Sequence, residues 1–346
     1  MKMNRKKLLI LAAALVVIAA GAVFIPRLTA GNGNTLAEAS RATLTKKTEV
    51  GFYLDTVITL TAYVEDAQVL KDAMAECGRY EQLLSRTVEG SDAWRINHAN
   101  GEPVEVSEDM TAVLRCAQTI SERSNGAFDV TIGPASTLWD FKSDEHTLPD
   151  ADTLAAAAEL VDYTRLQMDG TTVTLPAGMI IDLGAIAKGY IADRIKDWLK
   201  EHGVEHAILS FGGNVIAIGA KPDGSPWKVG IQDIDQPTGE SMLVTTDIDA
   251  SAVTSGIYER GFDLDGVRYH HLLSPFTGWP VQNELASVTI FSDSSMIGDA
   301  LSTTAFVLGT EEGLKLIESL EGVEAVFIAK DRTITYSSGA EAYIIH

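Results

Sequence analysis

Cysteine is almost absent from this chain: Cys77 and Cys116 are the only two in 346 residues. They lie far apart, so neither a CxxC redox pair nor a zinc-ligand pattern can be built from them. Both fall in helix-like stretches with apolar neighbours and read as small buried hydrophobes. A disulfide stays open for an oxidising compartment. Positive charge is scarce as well. Lys and Arg total 27 against 48 Asp and Glu, for a net charge of −21. So acidic a surface repels nucleic acid and anionic lipid, and no nucleic-acid partner is expected. The G-x-S-x-G elbow and the H-E-x-x-H zinc helix are missing. Neither the Walker loop nor G-x-G-x-x-G is present. No repeat or low-complexity array interrupts the chain. What remains is an ordinary globular composition, 46% hydrophobic and 22% charged. The length allows one large or two medium domains.

The one long apolar run is at the start. Lys2, Arg5, Lys6 and Lys7 precede an uncharged stretch from Leu8 to Ile25. A basic flank followed by an apolar core is the pattern of a secretory signal or signal-anchor. No good small-x-small cleavage site follows, so residues 1–30 read as an uncleaved anchor, one transmembrane helix. The basic flank stays cytoplasmic, which puts the rest on the extracytoplasmic face of the membrane. Residues 1–30 carry five cations and no acid, so −26 of charge falls on residues 31–346. An anionic phosphate ligand would need a cation to offset that field. Residues 31–48 are polar and aperiodic and read as a flexible tether.

Residues 49–346 mix strands and helices without regular alternation, which predicts an α+β fold: a mixed sheet with flanking helices. Phe52 to Val64 reads as a strand. Asp66 to Leu84 and Ser107 to Arg123 read as helices, the second capped by Ser107. Gly178 to Asp182 reads as a buried strand, and Ala185 to Lys200 as a helix. Tyr258 to Tyr269 reads as a hairpin with Asp265-Gly266 at its tip. Met296 to Leu308 is a predicted helix stopped by Gly309, with Thr310 capping the next.

Several stretches carry chemistry. In DLGAIAKGY, residues 182–190, a strand end, a glycine turn and a helix start form an anion site, with Lys188 one turn in. A loop glycine and a solvated lysine explain the same residues. Asp299 and Thr303 stand at i and i+4 on one helix face. Their oxygens are hard ligands suited to Mg²⁺, although such a pair is commonly a polar surface stripe. His270 and His271 point to opposite sides of a strand, so one at most faces a site as a general base. Gly126-Ala-Phe-Asp129 and Thr254-Ser255-Gly256 are small-residue turns that let backbone approach a ligand.

In this order the stretches resemble the FAD:protein FMN transferases, the ApbE family. The series runs through Leu54-Asp55-Thr56, Leu84-Ser85, Arg95-Ile96-Asn97, GAFDVTIGP at 126–134 and DLGAIAKGY. It continues with SFGGN at 210–214, TSGIYER at 254–260, YHHLLSPFTGWPV at 269–281 and GDALSTTAFVLG at 298–309. The resemblance implies a Mg²⁺-dependent transfer of FMN from FAD to a Thr or Ser hydroxyl of an acceptor protein acting in trans, a redox subunit, with release of AMP. It implies Mg²⁺ held by Asp299, Thr303 and the main-chain oxygen of Ala185. FAD would lie against Leu54, Ala127, Phe128, Asp129, Asp182, Lys188, Thr254, Ser255, Gly256 and Leu272, with His271 as the base. Three positions depart from the family pattern: Ser274 stands for an Asp, Asp55 for a Gly, and the Thr87 region lacks an aromatic. Two other readings share the residues: an FAD pyrophosphatase giving FMN and AMP, and a non-catalytic membrane-tethered flavin-binding protein.

Overall fold

Alternating apolar residues put Ile58, Leu60, Ala62 and Val64 on the inner face of the first hairpin. That hairpin is β1 (Thr45–Tyr53) and β2 (Thr56–Val64). The computed structural model describes residues 44–345 except 142, 144, 235–239 and 246–249. The predicted signal-anchor, residues 1–30, and most of the tether lie outside the described residues. Among the described residues no helix is long and apolar enough to cross a membrane. The tether was expected to reach residue 48, but β1 already begins at Thr45 and pairs with β2 from Thr45↔Val64.

The helices that follow are α1 (Gln68–Leu84), α2 (Asp92–His98), α3 (Glu108–Arg123), the single turn α4 (Gly133–Ser136) and α5 (Ala151–Ala158). Strands β3 (Val104–Glu105), β4 (Gln167–Asp169) and β5 (Thr172–Thr174) form a small sheet beside them. Next come α6 (Ala187–Glu201), β6 (Ala207–Phe211), β7 (Asn214–Ile218), β8 (Val229–Gln232), β9 (Ser241–Thr245) and β10 (Ser251–Gly256). The hairpin β11 (Gly261–Leu264) and β12 (Val267–His270) precedes β13 (Leu285–Ser292) and the long α7 (Ser295–Glu318). The chain closes with β14 (Val323–Ala329), β15 (Ile334–Tyr336) and β16 (Ile344–Ile345).

The main sheet has the order β1-β2-β6-β7-β10-β13-β14-β15, and its neighbours run antiparallel. The α+β expectation is met. Helices α1, α6 and α7 cover one face, with α3 packed on α7, around Leu114, Ile191, Ile195, Val288, Ile290 and Phe306. The small sheet β16-β9-β8 covers part of the other, around Ile231, Phe291 and Ile344. Strand β13 is buried along its whole length because it has a neighbour on both faces. Cys77 and Cys116 are free, and burial pushes their thiols up, to about 12 and about 11.

Three local expectations need correction. The strand read over Phe52–Val64 is split by a turn at Leu54-Asp55, both left-handed with φ of 52° and 58°. Distant groups hold that turn: Leu54 N–H donates to Glu81 Oε1 (2.7 Å), and Arg260 Nη2 donates to the Asp55 carbonyl (2.9 Å). Gly178–Asp182 joins no ladder and makes one bridge, Ile132↔Ile180. Its backbone is served instead by Asn97, whose side chain accepts from Ile181 N–H (2.7 Å) and donates to Ile181 C=O (3.0 Å). The helix does break at Gly309 (φ 79°, ψ 178°), but the cap on the second half is not Thr310. Glu284 Oε1 accepts from Thr310 N–H and Oγ1, at 2.9 and 2.7 Å. Asn283 donates to the Phe306 carbonyl at 2.6 Å.

Candidate active site

Helices α2, α3, α5 and α7 start with side-chain caps from Ser91, Ser107, Asp150 and Ser294. Helix α6 does not: Ile186 precedes it and offers no side-chain acceptor. Its third N–H, from Gly189, donates across to Asp299 Oδ2 on α7 (2.9 Å). Asp299 therefore caps a helix that is not its own. The two helices meet closely here, since a Cβ on Gly189 would lie 2.1 Å from the Ser295 carbonyl oxygen.

This diversion leaves the Ala185 carbonyl, which Gly189 N–H would meet in a regular helix, without a hydrogen bond among the described residues. Lys188 Nζ donates to Gly184 C=O (2.7 Å) and lies 3.3 and 3.4 Å from the Asp299 oxygens. The lysine expected to reach a phosphate is thus turned onto a buried carboxylate, and the helix N-terminus already has an anion at its mouth. Thr303 lies one turn beyond Asp299. Its Oγ1 is 3.2 Å from Ser255 Oγ, which is 2.8 Å from Ser302 Oγ. The Thr254–Gly256 strand end is thereby tied to α7.

Asp182 sits on the other side of Gly184. Its Oδ1 accepts from Gly184 N–H (3.0 Å), and its Oδ2 accepts from Ser136 Oγ (2.7 Å) and pairs with Arg86 Nε (3.3 Å). Asp182 N–H donates to Val130 C=O (2.7 Å), which docks the 126–130 turn alongside. Within that turn the Ala127 and Phe128 side chains are buried, so only backbone is available to a ligand. Asp129 is a staple: its carboxylate accepts from Thr131 N–H, Thr131 Oγ1 and Tyr163 N–H. Burial raises its pKa. The Leu272 side chain is also buried, and Leu54 lies at the Asp55 turn held by Arg260.

The two histidines separate as their alternation predicts. His270 is buried, with Nε2 on the Val281 carbonyl (3.0 Å) and its ring edge-on to Phe306. His271 is half-buried, with Nδ1 3.2 Å from the Arg260 carbonyl. A carbonyl only accepts, so Nδ1 carries the proton and neutral His271 keeps its Nε2 lone pair. Burial, then the charges of Arg260 and Lys188, push its pKa down to about 3. The Lys188 charge also acts on Glu259, whose carboxyl burial raises. The Lys188 charge thus reaches His271 and Glu259 as well as Asp299, while Arg260 adjoins His271 through its carbonyl.

No cluster of three or more His, Cys, Asp or Glu able to hold a metal occurs among the described residues. One buried carboxylate, a hydroxyl and an unpartnered carbonyl are hard oxygen donors. They suit Mg²⁺, which keeps several waters and completes its shell with substrate phosphate.

The ApbE family profile matches residues 54–327. The chain belongs to the ApbE family. This ApbE chain is 38% identical over 288 residues to a FAD:protein FMN transferase of Klebsiella pneumoniae, covering 81% of this chain and 88% of that one. It is 37% identical to a FAD:protein FMN transferase of Treponema pallidum, covering 78% and 79%. The crystal structure of the ApbE protein from Thermotoga maritima superposes with a TM-score of 0.80 at 28% identity, covering 87% of this chain and 100% of that one. The flavin transferase ApbE of Vibrio cholerae superposes at 0.78 with 26% identity, covering 87% and 99%.

Four participants escaped the sequence reading. Arg86 and Ser136 hold Asp182, Ser302 joins the hydroxyl cluster, and Glu259 shares the electrostatics of His271. Two of them had a visible signal: Ser302 stands between Asp299 and Thr303 in a run of hydroxyls, and Glu259 lies within TSGIYER.

Proposed function

We propose that the chain transfers FMN from FAD to a Thr or Ser hydroxyl of an acceptor protein and releases AMP, with Mg²⁺ as the required cation. Membership of the ApbE family makes it a flavin transferase. The observation that carries the finer reading is the Asp299 carboxylate, buried against Lys188 and the Gly189 N–H, one turn before Thr303 on the same helix. Asp299, Thr303 and Ala185 would hold the cation, which supplies neutralisation of phosphate charge at the reacting centre. Occupation of Asp299 would free the Lys188 ammonium for phosphate oxygen. Asp182 and Lys188, with the 127–129 backbone, would hold FAD.

The reaction breaks the P–O–P anhydride of FAD. The acceptor oxygen bonds to the FMN phosphorus, AMP leaves with the bridging oxygen, and the hydroxyl proton passes to a base. His271 fits that base: it is neutral and its Nε2 is unprotonated. The charge pattern of residues 1–30 supports an anchor that holds the domain on the extracytoplasmic face, where the acceptor, a redox protein, would be met.

The test incubates the full chain with FAD, Mg²⁺ and an extracytoplasmic acceptor, then measures in-gel flavin fluorescence and AMP. Labelled acceptor with AMP is expected. AMP without label would turn the reading to a pyrophosphatase, and retained FAD with neither product to a non-catalytic binder. Asp299→Ala is expected to abolish labelling; undiminished labelling would remove the metal assignment.

A further inference from the structure

Asp193 lies on α6, one turn beyond Gly189, and is buried. Its carboxylate faces the start of α7 rather than its own helix. Oδ1 accepts from Ser295 N–H (2.9 Å), and Oδ2 accepts from Met296 N–H (3.0 Å) and Ser294 Oγ (2.8 Å). Lys196, a turn further on, pairs with Asp193 at 3.9 Å and donates to the Asp293 carbonyl at 3.0 Å. The two helices thus exchange carboxylates. Asp193 of α6 caps the N–H groups that open α7, and Asp299 of α7 takes the Gly189 N–H that opens α6. Each helix N-terminus is charge-balanced by the other helix.

The exchange has a functional corollary. The groups read as cation ligands are split between the two elements: the Ala185 carbonyl precedes α6, while Asp299 and Thr303 lie on α7. Their separation depends on how α7 is seated along α6. Gly189 sets how closely the helices approach. Asp193 sets where α7 begins, and the Asp299 carboxylate stands only one turn from that point.

We propose that Asp193 is a positioning residue for the Asp299–Thr303 cation site, acting by seating the start of α7 on α6. The inference rests on the metal reading given above. Asp193→Asn keeps the volume but loses the charge and turns an N–H₂ toward groups that are themselves donors. Ser294→Ala removes one of the three contacts, together with the cap bond from Ile297 N–H, and leaves the charge.

Both variants and the unchanged full chain are titrated with Mn²⁺, followed by loss of the free-ion EPR signal, and with Mg²⁺, followed by the rise in melting temperature. FAD binding is measured in EDTA. Groups that orient metal ligands are worth about 10–100-fold in affinity, so Asp193→Asn is expected to weaken Mn²⁺ binding by roughly tenfold and Ser294→Ala by roughly threefold. Metal-free FAD affinity should stay within about twofold, and the Mg²⁺ concentration for half-maximal labelling should rise more than saturated kcat falls. Unchanged Mn²⁺ affinity in a folded Asp193→Asn protein would overturn the inference. So would an equal loss of metal-free FAD binding, the mark of general loosening. If Asp193→Asn does not fold, the Ser294→Ala affinity decides by the same comparison. A failure of the unchanged chain to bind Mn²⁺ or respond to Mg²⁺ would remove the metal assignment, and this inference with it.

Discussion

Replacing Gly189 by Ala tests the closest contact in the site. The added Cβ would stand 2.1 Å from the Ser295 oxygen, 2.5 Å from its carbon and 2.7 Å from Met296 Cα. These are backbone atoms with no rotamer to change, so α6 and α7 must part by about 1 Å to restore ordinary contact. Overpacking of this kind costs about 1–3 kcal/mol. Ala offsets about 0.5–1 kcal/mol of that through its better helix propensity. A loss of about 1–2 kcal/mol follows, a fall of a few degrees in melting temperature for a chain of this size. Function should suffer more. The Gly189–Asp299 bond, 2.9 Å at present, would open, and a displacement of about 1 Å in a positioned group can cost about 100-fold in rate. The assay is initial-rate labelling of the acceptor at saturating FAD and Mg²⁺, beside a thermal melt of the same sample. Unchanged rate and melting temperature would refute the close approach. A rate loss no larger than the unfolded fraction would refute the link from helix spacing to chemistry.

Other consequences can be measured separately. Buried His270 and half-buried His271, held at about 4 and about 3, take up fewer protons than the unfolded chain below its ordinary histidine value of 6.5. Stability should therefore fall as pH drops from 6.5 toward 4, and His271→Gln should lessen that slope in urea melts. The same shift places the acid limb of kcat/KM well below 6.5; a limb at 6.5 would contradict the burial of His271. Asn97→Ala removes both hydrogen bonds of Ile181 and should cost about 2–4 kcal/mol by urea denaturation, since buried backbone groups lose their partners. Thr303→Val should weaken the Mg²⁺ dependence of labelling about tenfold while leaving the melting temperature within a few degrees.

Much of the fold was legible where local chemistry decides it. Ser107 caps α3 by accepting from Met110 N–H, as its place before an acidic first turn predicts. The Asp265-Gly266 tip has the two left-handed residues a tight hairpin needs. The site residues were readable as types in order, and the structure brings Lys188, Asp299, Thr303, Ser255 and His271 together. What escaped depends on partners distant in the chain. At Leu54-Asp55 the left-handed turn is announced only by the Gly that the family pattern has in place of Asp55; the groups that support it, Glu81 and Arg260, are distant. The apolar run at 178–182 looks like a strand, but its partners are an irregular set: the 130–133 backbone and an asparagine side chain 84 residues away. Lys188 reads as a phosphate ligand until Asp299, 111 residues later, is seen to hold it.

The break at Gly309 gives α7 two separate fates. Its first half, from Ser295 to Leu308, is bound into the core and carries Asp299 and Thr303. At the break the carboxylate of Glu284 fastens the second half through Thr310, and the amide of Asn283 holds the end of the first half at the Phe306 carbonyl. Fraying that begins at the distal end has a natural stopping place there, and it need not reach the chemistry. The exposed positions of the distal half, Glu311, Glu312 and Lys315 among them, are therefore where the enzyme can drift in sequence at least risk to turnover, while buried Gly313 and Ile317 are held by the core.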